Sequence, residues 1–268
     1  MRRALNIYLR LISVEIRAQL QYRLAFLFDL FATALITAVE FGTLALILQR
    51  FNNIAGWTLG EVAFLYGTVA TAFGLMDLLF SGFDPPAFGQ QVRRGTFDRL
   101  LLRPINITIQ VLASRLLLRR AGRIFQGTII LGIALRLLDI HWTAAKMLYL
   151  PVVVASQVCF FGGLFIIGST ITFWTVESIE VVNIFTYGGN EMISYPMHIY
   201  PDWMRRFFTF VVPAIFLNYY PALYFLDRPD PFHMPAFARF LAPVAGLGVL
   251  GVALLFWRFG IRHYQSTG

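Results

Sequence analysis

The sequence predicts an all-α integral membrane protein. It would have six transmembrane helices, an N-terminal amphipathic surface helix, a short cytosolic helix in a loop, and outer re-entrant helices before the last span. Three observations predict this. Hydrophobic residues make up 58% of the 268 positions and charged residues only 13%, about half the charged share of a soluble domain. The apolar residues gather in runs close to the roughly 20 residues that cross a hydrocarbon core. The net charge of +8, nearly all arginine, is spread unevenly between those runs, which is a topology signal before it is a nucleic-acid signal.

Residues 1–23 come first. Arg3, Asn6, Arg10, Ser13, Arg17 and Gln21 recur at spacings of three and four and so share one stripe of a helix that can lie in the membrane surface; the plainer alternative is a basic cytosolic lead-in. Leu24–Leu48 is an apolar run of 25 residues, too long for the roughly 7–15-residue core of a cleaved leader, and reads as a retained first span. Further spans are expected at Glu61–Ser81, from near Ile109 to Leu138, at Met147–Trp174, at a shorter stretch around Ile179–Tyr195, and at Phe240–Gly260. Phe207–Leu226 is apolar but interrupted by Pro213 and Pro221. It is either a seventh span or a re-entrant pair, since irregular backbone at membrane depth must be buried in protein or line a cavity.

Six spans put the arginines of the N-terminal segment, of the loop and entry at 93–123, and of the C-terminus on one side. They are 15 of the 22 Lys and Arg residues, and the side that holds them is expected to be the cytosol of a bacterial inner membrane. Tyr195, Tyr200, Trp203, Tyr219, Tyr220 and Tyr224 crowd the segment before the last span, as befits an outer interface. A single membrane domain, 1–268, is expected, with its loop at 83–107 and its outer segment at 196–235.

The loop is the most informative polar stretch. Asp84-Pro85-Pro86 can start a helix, with Asp84 as N-cap and Pro85 in the first turn, and Gly95 can end it in the left-handed conformation. From there Gly95-Thr96-Phe97-Asp98-Arg99-Leu100-Leu101-Leu102-Arg103-Pro104 mixes charge with bulky apolar side chains. That suits docking onto a protein, or, as the alternative, contact of the arginines with anionic lipid.

This decapeptide resembles the signature loop of the ABC-2 class of export permeases, and more narrowly a subgroup of small six-helix, viologen- or drug-exporter-like permeases. Tyr195-Pro196-Met197-His198-Ile199-Tyr200-Pro201-Asp202-Trp203, and Val212-Pro213 continuing to Asn218-Tyr219-Tyr220-Pro221-Ala222, resemble the same subgroup's outer segment. The resemblance extends along essentially the whole chain in order and length of spans. It implies a pore of two permeases, with a related second chain rather than an identical copy, driven by a cytosolic ABC ATPase dimer that binds the ATP and Mg. Arg93, Arg94, Gly95, Phe97, Asp98, Arg99, Leu100, Arg103 and Pro104 would couple to that ATPase. Tyr195, Pro196, Pro213, Asn218, Tyr219, Tyr220 and Pro221 would form an outer gate.

The chain's own residues agree that ATP is handled elsewhere. A P-loop needs a lysine after a glycine-rich turn, and the single lysine, Lys146, follows Ala144-Ala145. One cysteine and four scattered histidines make a metal site or a disulfide framework improbable. No cofactor is expected in this chain, and membrane lipid, not nucleic acid, is its other partner.

Carboxylates inside a membrane are costly and need a partner, water or a proton. Asp29, Glu40 and Asp77 are therefore read as an acidic substrate path for hydrophobic or cationic amphiphiles. The competing reading pairs Asp29 and Asp77 with Arg115, Arg119 or Arg123, which recur every four residues. Two other functions stay open: export of lipid or glycoconjugate, and a membrane-embedded lipid-metabolising enzyme, for which no clustered His, Asp, Glu or Ser is evident.

Overall fold

The computed structural model describes residues 55–115, 120–175 and 180–266, with Asn53 and scattered positions before it. The expected surface helix and first span, with Asp29 and Glu40, lie outside the described residues apart from those scattered positions. Every helix or longer regular element described is helical, in agreement with the all-α expectation.

Helix α1 (Leu59–Leu79) is the hub. It is apolar all round except for Glu61 near one end and Asp77 near the other, and a helix without a polar face belongs inside a protein or a membrane. Thr58 and Glu61 start it with a capping box, the Thr58 N–H donating to Glu61 Oε2 at 2.7 Å. The chain continues through α2 (Pro85–Arg93), the single turn α3 (Asp98–Leu101) and α4 (Ile107–Ala113) to α5 (Ala121–Leu137). α1 and α5 pack antiparallel through glycines. Gly60, Gly67 and Gly74 recur every seven residues, and a Cβ on Gly67 would sit 2.6 Å from the Leu131 nitrogen. From the other side, a Cβ on Gly127 would lie 2.4 Å from the Thr71 nitrogen. Lipid offers no hydrophobic force between helices, so close backbone approach must supply the contact.

α6 (Ala144–Thr175) is followed by α7 (Glu180–Asn183), a π-helical segment Ile184–Gly188 and α8 (Gly189–Ile193). α9 (Asp202–Phe210), α10 (Tyr219–Phe225) and α11 (Ala242–His263) complete the chain. α6 and α11 run parallel and touch at small residues: a Cβ on Gly246 would lie 2.3 Å from the Ser156 carbonyl oxygen, and one on Gly260 2.6 Å from the Thr170 methyl. The faces turned away from these contacts expose Phe125, Ile129 and Ile133 on α5 and Val244, Leu247, Val252, Leu255 and Phe259 on α11. Apolar patches of that extent are rare on monomeric soluble proteins and are natural against lipid.

Three described helices, α1, α6 and α11, are long and apolar enough to cross a membrane. A fourth crossing requires α9 and Ala214–Phe225 to count together, yet these are bent by 74°. α5, at 17 residues, reaches only about 25 Å. The expected third span is not one helix: α4 ends at Ala113, and the Ser81 hydroxyl takes the Arg115 carbonyl that a continuing helix would use. Of the expected fifth span, the described residues Glu180–Ile193 are interrupted by the π-helical segment, an irregularity often found at functional sites.

Two ends can be distinguished. The basic end holds α2–α4 and the last turn of α11. The aromatic end holds the residues between α8 and α11. There Asn218 is buried at the bend before α10, and its Nδ2 donates to the carbonyls of Leu65 (3.1 Å) and Ile193 (2.8 Å). Gln157 Nε2 donates to the Leu217 carbonyl at 3.0 Å and to Asn218 Oδ1 at 3.3 Å. Lys146 is buried, its Nζ donating to the Phe225 carbonyl (3.0 Å) and to Asp227 (2.7 Å). The lone lysine thus fastens the start of α6 to the end of α10.

Candidate functional site

The loop between α1 and α5 owes its shape to its ends. Asp84 precedes Pro85 at the first position of α2, as expected, but its side chain makes no cap bond and instead lies 3.4 Å from the Arg120 guanidinium. Gly95 closes the helix at φ +63°, a left-handed geometry that glycine adopts without cost. α2 is two-faced. Pro85, Phe88, Gly89 and Val92 are buried, whereas Pro86, Gln90 and Arg93 are exposed at the three-to-four spacing of one helical stripe.

Phe97 is the main departure from the sequence-based site. It is fully buried, with ring centroids 5.4 Å from Phe88, 5.2 Å from Phe173 and 5.0 Å from Tyr264. It therefore cannot be presented to a partner, because an aromatic ring gains more from this packed, edge-on environment than from water. Gly95, Asp98 and Leu100 are half-buried, while Arg93, Arg94, Arg99, Arg103 and Pro104 are exposed. Leu101 and Leu102, which sequence reasoning did not single out, are exposed between the arginines, Leu102 by 85%. The available signal was a run of three leucines flanked by Arg99 and Arg103. Gln110 was also missed: its Nε2 donates to the carbonyls of Leu100 (3.1 Å) and Ile105 (2.9 Å) and holds the loop's return.

Behind the exposed face the aromatic rings form a bridge. Phe88 lies 5.6 Å from Trp257 of α11 and 5.6 Å from Phe173 of α6, and Phe173 stacks on Trp257 at 5.3 Å. Trp257 Nε1 donates to Thr108 Oγ1 of α4 at 3.0 Å, and Ser169 of α6 donates to the Phe83 carbonyl at 2.6 Å. The loop is thereby joined to the ends of two spanning helices. The chain's last residues reach it too. Ser266 Oγ donates to Asp98 Oδ2 at 2.6 Å. Burial, then the Asp98 carboxylate, pushes Tyr264 up to about 12.

Of the expected substrate-path residues, only Asp77 is described. It is buried and paired with Arg120, which also reaches Asp84, rather than with Arg115 or Arg123. Arg123 lies over the Phe73 ring at 4.8 Å and 3.9 Å from Glu191. The arithmetic of four-residue spacing assumed a continuous helix, and the break after α4 resets the phase.

The expected gate residues lie at the aromatic end with different exposures. Pro196, Asn218, Tyr219, Tyr220 and Pro221 are buried, and Tyr195 and Pro213 half-buried.

Among the described residues, a fold built of helices, several of them long and apolar, with a basic loop packed at one end, defines a polytopic membrane protein. The chain matches the ABC-2 family transporter protein model over residues 34–268. It belongs to that family, and is a permease of an ABC transporter. No curated protein and no solved structure matches it significantly. Membership of this family of membrane subunits implies an ABC ATPase partner and suggests no ATPase domain in this chain.

Proposed function

We propose that the chain is the permease subunit of an ATP-driven exporter that moves a hydrophobic or cationic amphiphilic compound out of the cytosol or inner leaflet by alternating access. The observation that carries this is the exposed face Pro86, Gln90, Arg93, Arg94, Arg99, Leu101, Leu102, Arg103 and Pro104, backed by the Phe88–Phe97–Phe173–Trp257 cluster. A loop that merely met lipid headgroups would need no rigid connection to two spanning helices. Here a push on α2 is passed to α6 and α11 through packed rings, which transmit strain because interiors are dense.

In this reading the basic end is cytosolic in a bacterial inner membrane. An ATPase dimer holding ATP and Mg seats on that face, and a second, related permease completes the pore. Asp77 and Asp84 share Arg120, with Arg123 and Glu191 beside them, so three carboxylates meet two guanidiniums near the inner end of α1, which favours a cation there. Lipid or glycoconjugate export is the second reading, favoured by the extended apolar face of α11.

Co-expression with an ATPase of the same operon, followed by affinity purification, tests the proposal. Leu102→Glu combined with Arg99→Ala is expected to weaken association at least about tenfold, the effect of losing roughly 1.4 kcal/mol, with the permease still monodisperse. Undiminished association and transport would remove this face from coupling. Transport of a cationic dye but not its neutral analogue would support the substrate class; the reverse would favour the second reading.

A further inference from the structure

Beside α9, at the aromatic end, lies a cleft of about 320 Å³ that the transport reading does not use. Asp202, Arg205 and Arg206 of α9 line it, together with Tyr220 of α10 and Phe232 and Met234 from the segment before α11. Asp230 fixes that last part of the lining: its Oδ1 accepts from the Phe232 N–H at 2.9 Å and its Oδ2 from the Met234 N–H at 2.7 Å.

Two donors in the cleft are left over. Arg205 is committed, paired with Asp202 and lying 4.7 Å over the centre of the Phe232 ring. Arg206 is not: among the described residues it has no carboxylate within ion-pair distance and makes no hydrogen bond. Tyr220 is 2% exposed. Its hydroxyl makes no hydrogen bond among the described residues and, unlike that of Tyr219, is not sealed from the cleft that the residue lines. A buried hydroxyl without a partner is costly, so both groups call for an acceptor. The rim beside them is apolar. Trp203, Arg206 and Phe210 recur at spacings of three and four and share one stripe of α9, and Trp203, Phe210 and the following Val211 are all exposed. A guanidinium between two exposed aromatic rings, at the end of spanning helices, sets the rings at headgroup level and the charge against phosphate.

Charge and apolarity together select what fits. A cation is repelled by Arg206. Free inorganic phosphate would satisfy the two donors but leave Trp203 and Phe210 against water. A zwitterionic headgroup brings an ammonium of its own beside two guanidiniums. An amphiphile with a singly charged phosphodiester and acyl chains answers both halves of the surface. We propose that this cleft holds the headgroup of one anionic phospholipid, its phosphate accepting hydrogen bonds from Arg206 and the Tyr220 hydroxyl and its acyl chains running past Trp203 and Phe210. The site needs a bilayer around the chain, not a particular cargo.

The test uses the full chain, delipidated in detergent and titrated with phosphatidylglycerol or with phosphatidylcholine of the same acyl chains, bound lipid being read by native mass spectrometry. Saturable binding of phosphatidylglycerol, tighter than that of phosphatidylcholine and resistant to excess inorganic phosphate, is expected. Arg206→Gln should weaken it about tenfold, as loss of a charge-assisted hydrogen bond does, and Tyr220→Phe about fivefold. Neither group has a partner within the chain to lose, so both variants should melt as wild type does. Arg136→Gln removes an equal charge from an exposed position in the last turn of α5, outside the cleft, and should leave binding unchanged. Equal affinity for the two lipids, undiminished binding in either cleft variant, an equal loss in Arg136→Gln, or displacement of the lipid by inorganic phosphate would each overturn the proposal.

Discussion

Asn218→Ala tests whether the bend of the outer segment is held by hydrogen bonding or by packing alone. The side chain makes three bonds: two donated to the Leu65 and Ile193 carbonyls and one accepted from Gln157. Between helices in a membrane such bonds average about 0.6 kcal/mol, with a maximum near 1.7. Three of them then contribute about 2 kcal/mol, and leaving Gln157 with only the Leu217 carbonyl adds a little. For a chain of this length each kcal/mol moves the melting point by about 2–4 °C. Asn218→Ala should therefore lower the midpoint by about 4–8 °C in a tryptophan-fluorescence melt in detergent. Asn218→Asp sharpens the test. At neutral pH a carboxylate would face the two carbonyl oxygens, so this variant should be less stable than Asn218→Ala. It should recover as the pH falls and the acid regains a proton to donate. A midpoint for Asn218→Ala within a degree of wild type, or an Asn218→Asp variant as stable as wild type at neutral pH, would refute the hydrogen-bond account.

Four further outcomes are expected. Gly82→Ala places a Cβ 1.8 Å from the Val111 carbonyl oxygen, which backbone cannot yield, and should cost about 3 kcal/mol or more; Gly132→Ala, with open space around its Cβ, should be neutral or stabilise by up to about 1 kcal/mol. Both are read from melting curves, and equal effects would disprove the close approach of α4. Lys146→Met removes a donor from the buried Phe225 carbonyl, while the mostly exposed Asp227 turns to water, for a loss of about 1–2 kcal/mol. Leu102→Glu should leave the melting point unchanged, since this side chain is 85% exposed, while reducing ATPase copurification. Burial raises the Tyr264 hydroxyl from 10 to about 12. The unfolded chain therefore loses that proton first, and stability falls between pH 10 and 12; Tyr264→Phe should lessen that fall in alkaline melts.

Local chemistry made α2 legible. An aspartate before two prolines and a glycine ten residues on from Pro85 are turn and cap residues whose geometry does not depend on the rest of the chain, and the helix lies within a residue of the expected bounds. The apolar runs of α1, α6 and α11 were legible for a similar reason, since length and hydropathy are properties of a segment alone. What Phe97 does was not legible. An aromatic ring among arginines reads equally as a contact or as core, and only the arrival of Phe173 and Trp257 from 76 and 160 residues away decides between them. Arg120 escaped because helical phase was carried through a break. The sevenfold glycine spacing of α1 was present in the sequence, but its meaning depends on α5 lying against it.

Because α6 and α11 point the same way, touch through small side chains and share one aromatic block at the arginine-rich end, they make a single stiff oar rather than two independent rods. Its other end is tied by Lys146 and Gln157 to the bent segment around Asn218. If the chain works as proposed, a stroke delivered at one end of this body would arrive at the other without a relay of rearrangements in between. The two mouths would open and shut on the swing of one body.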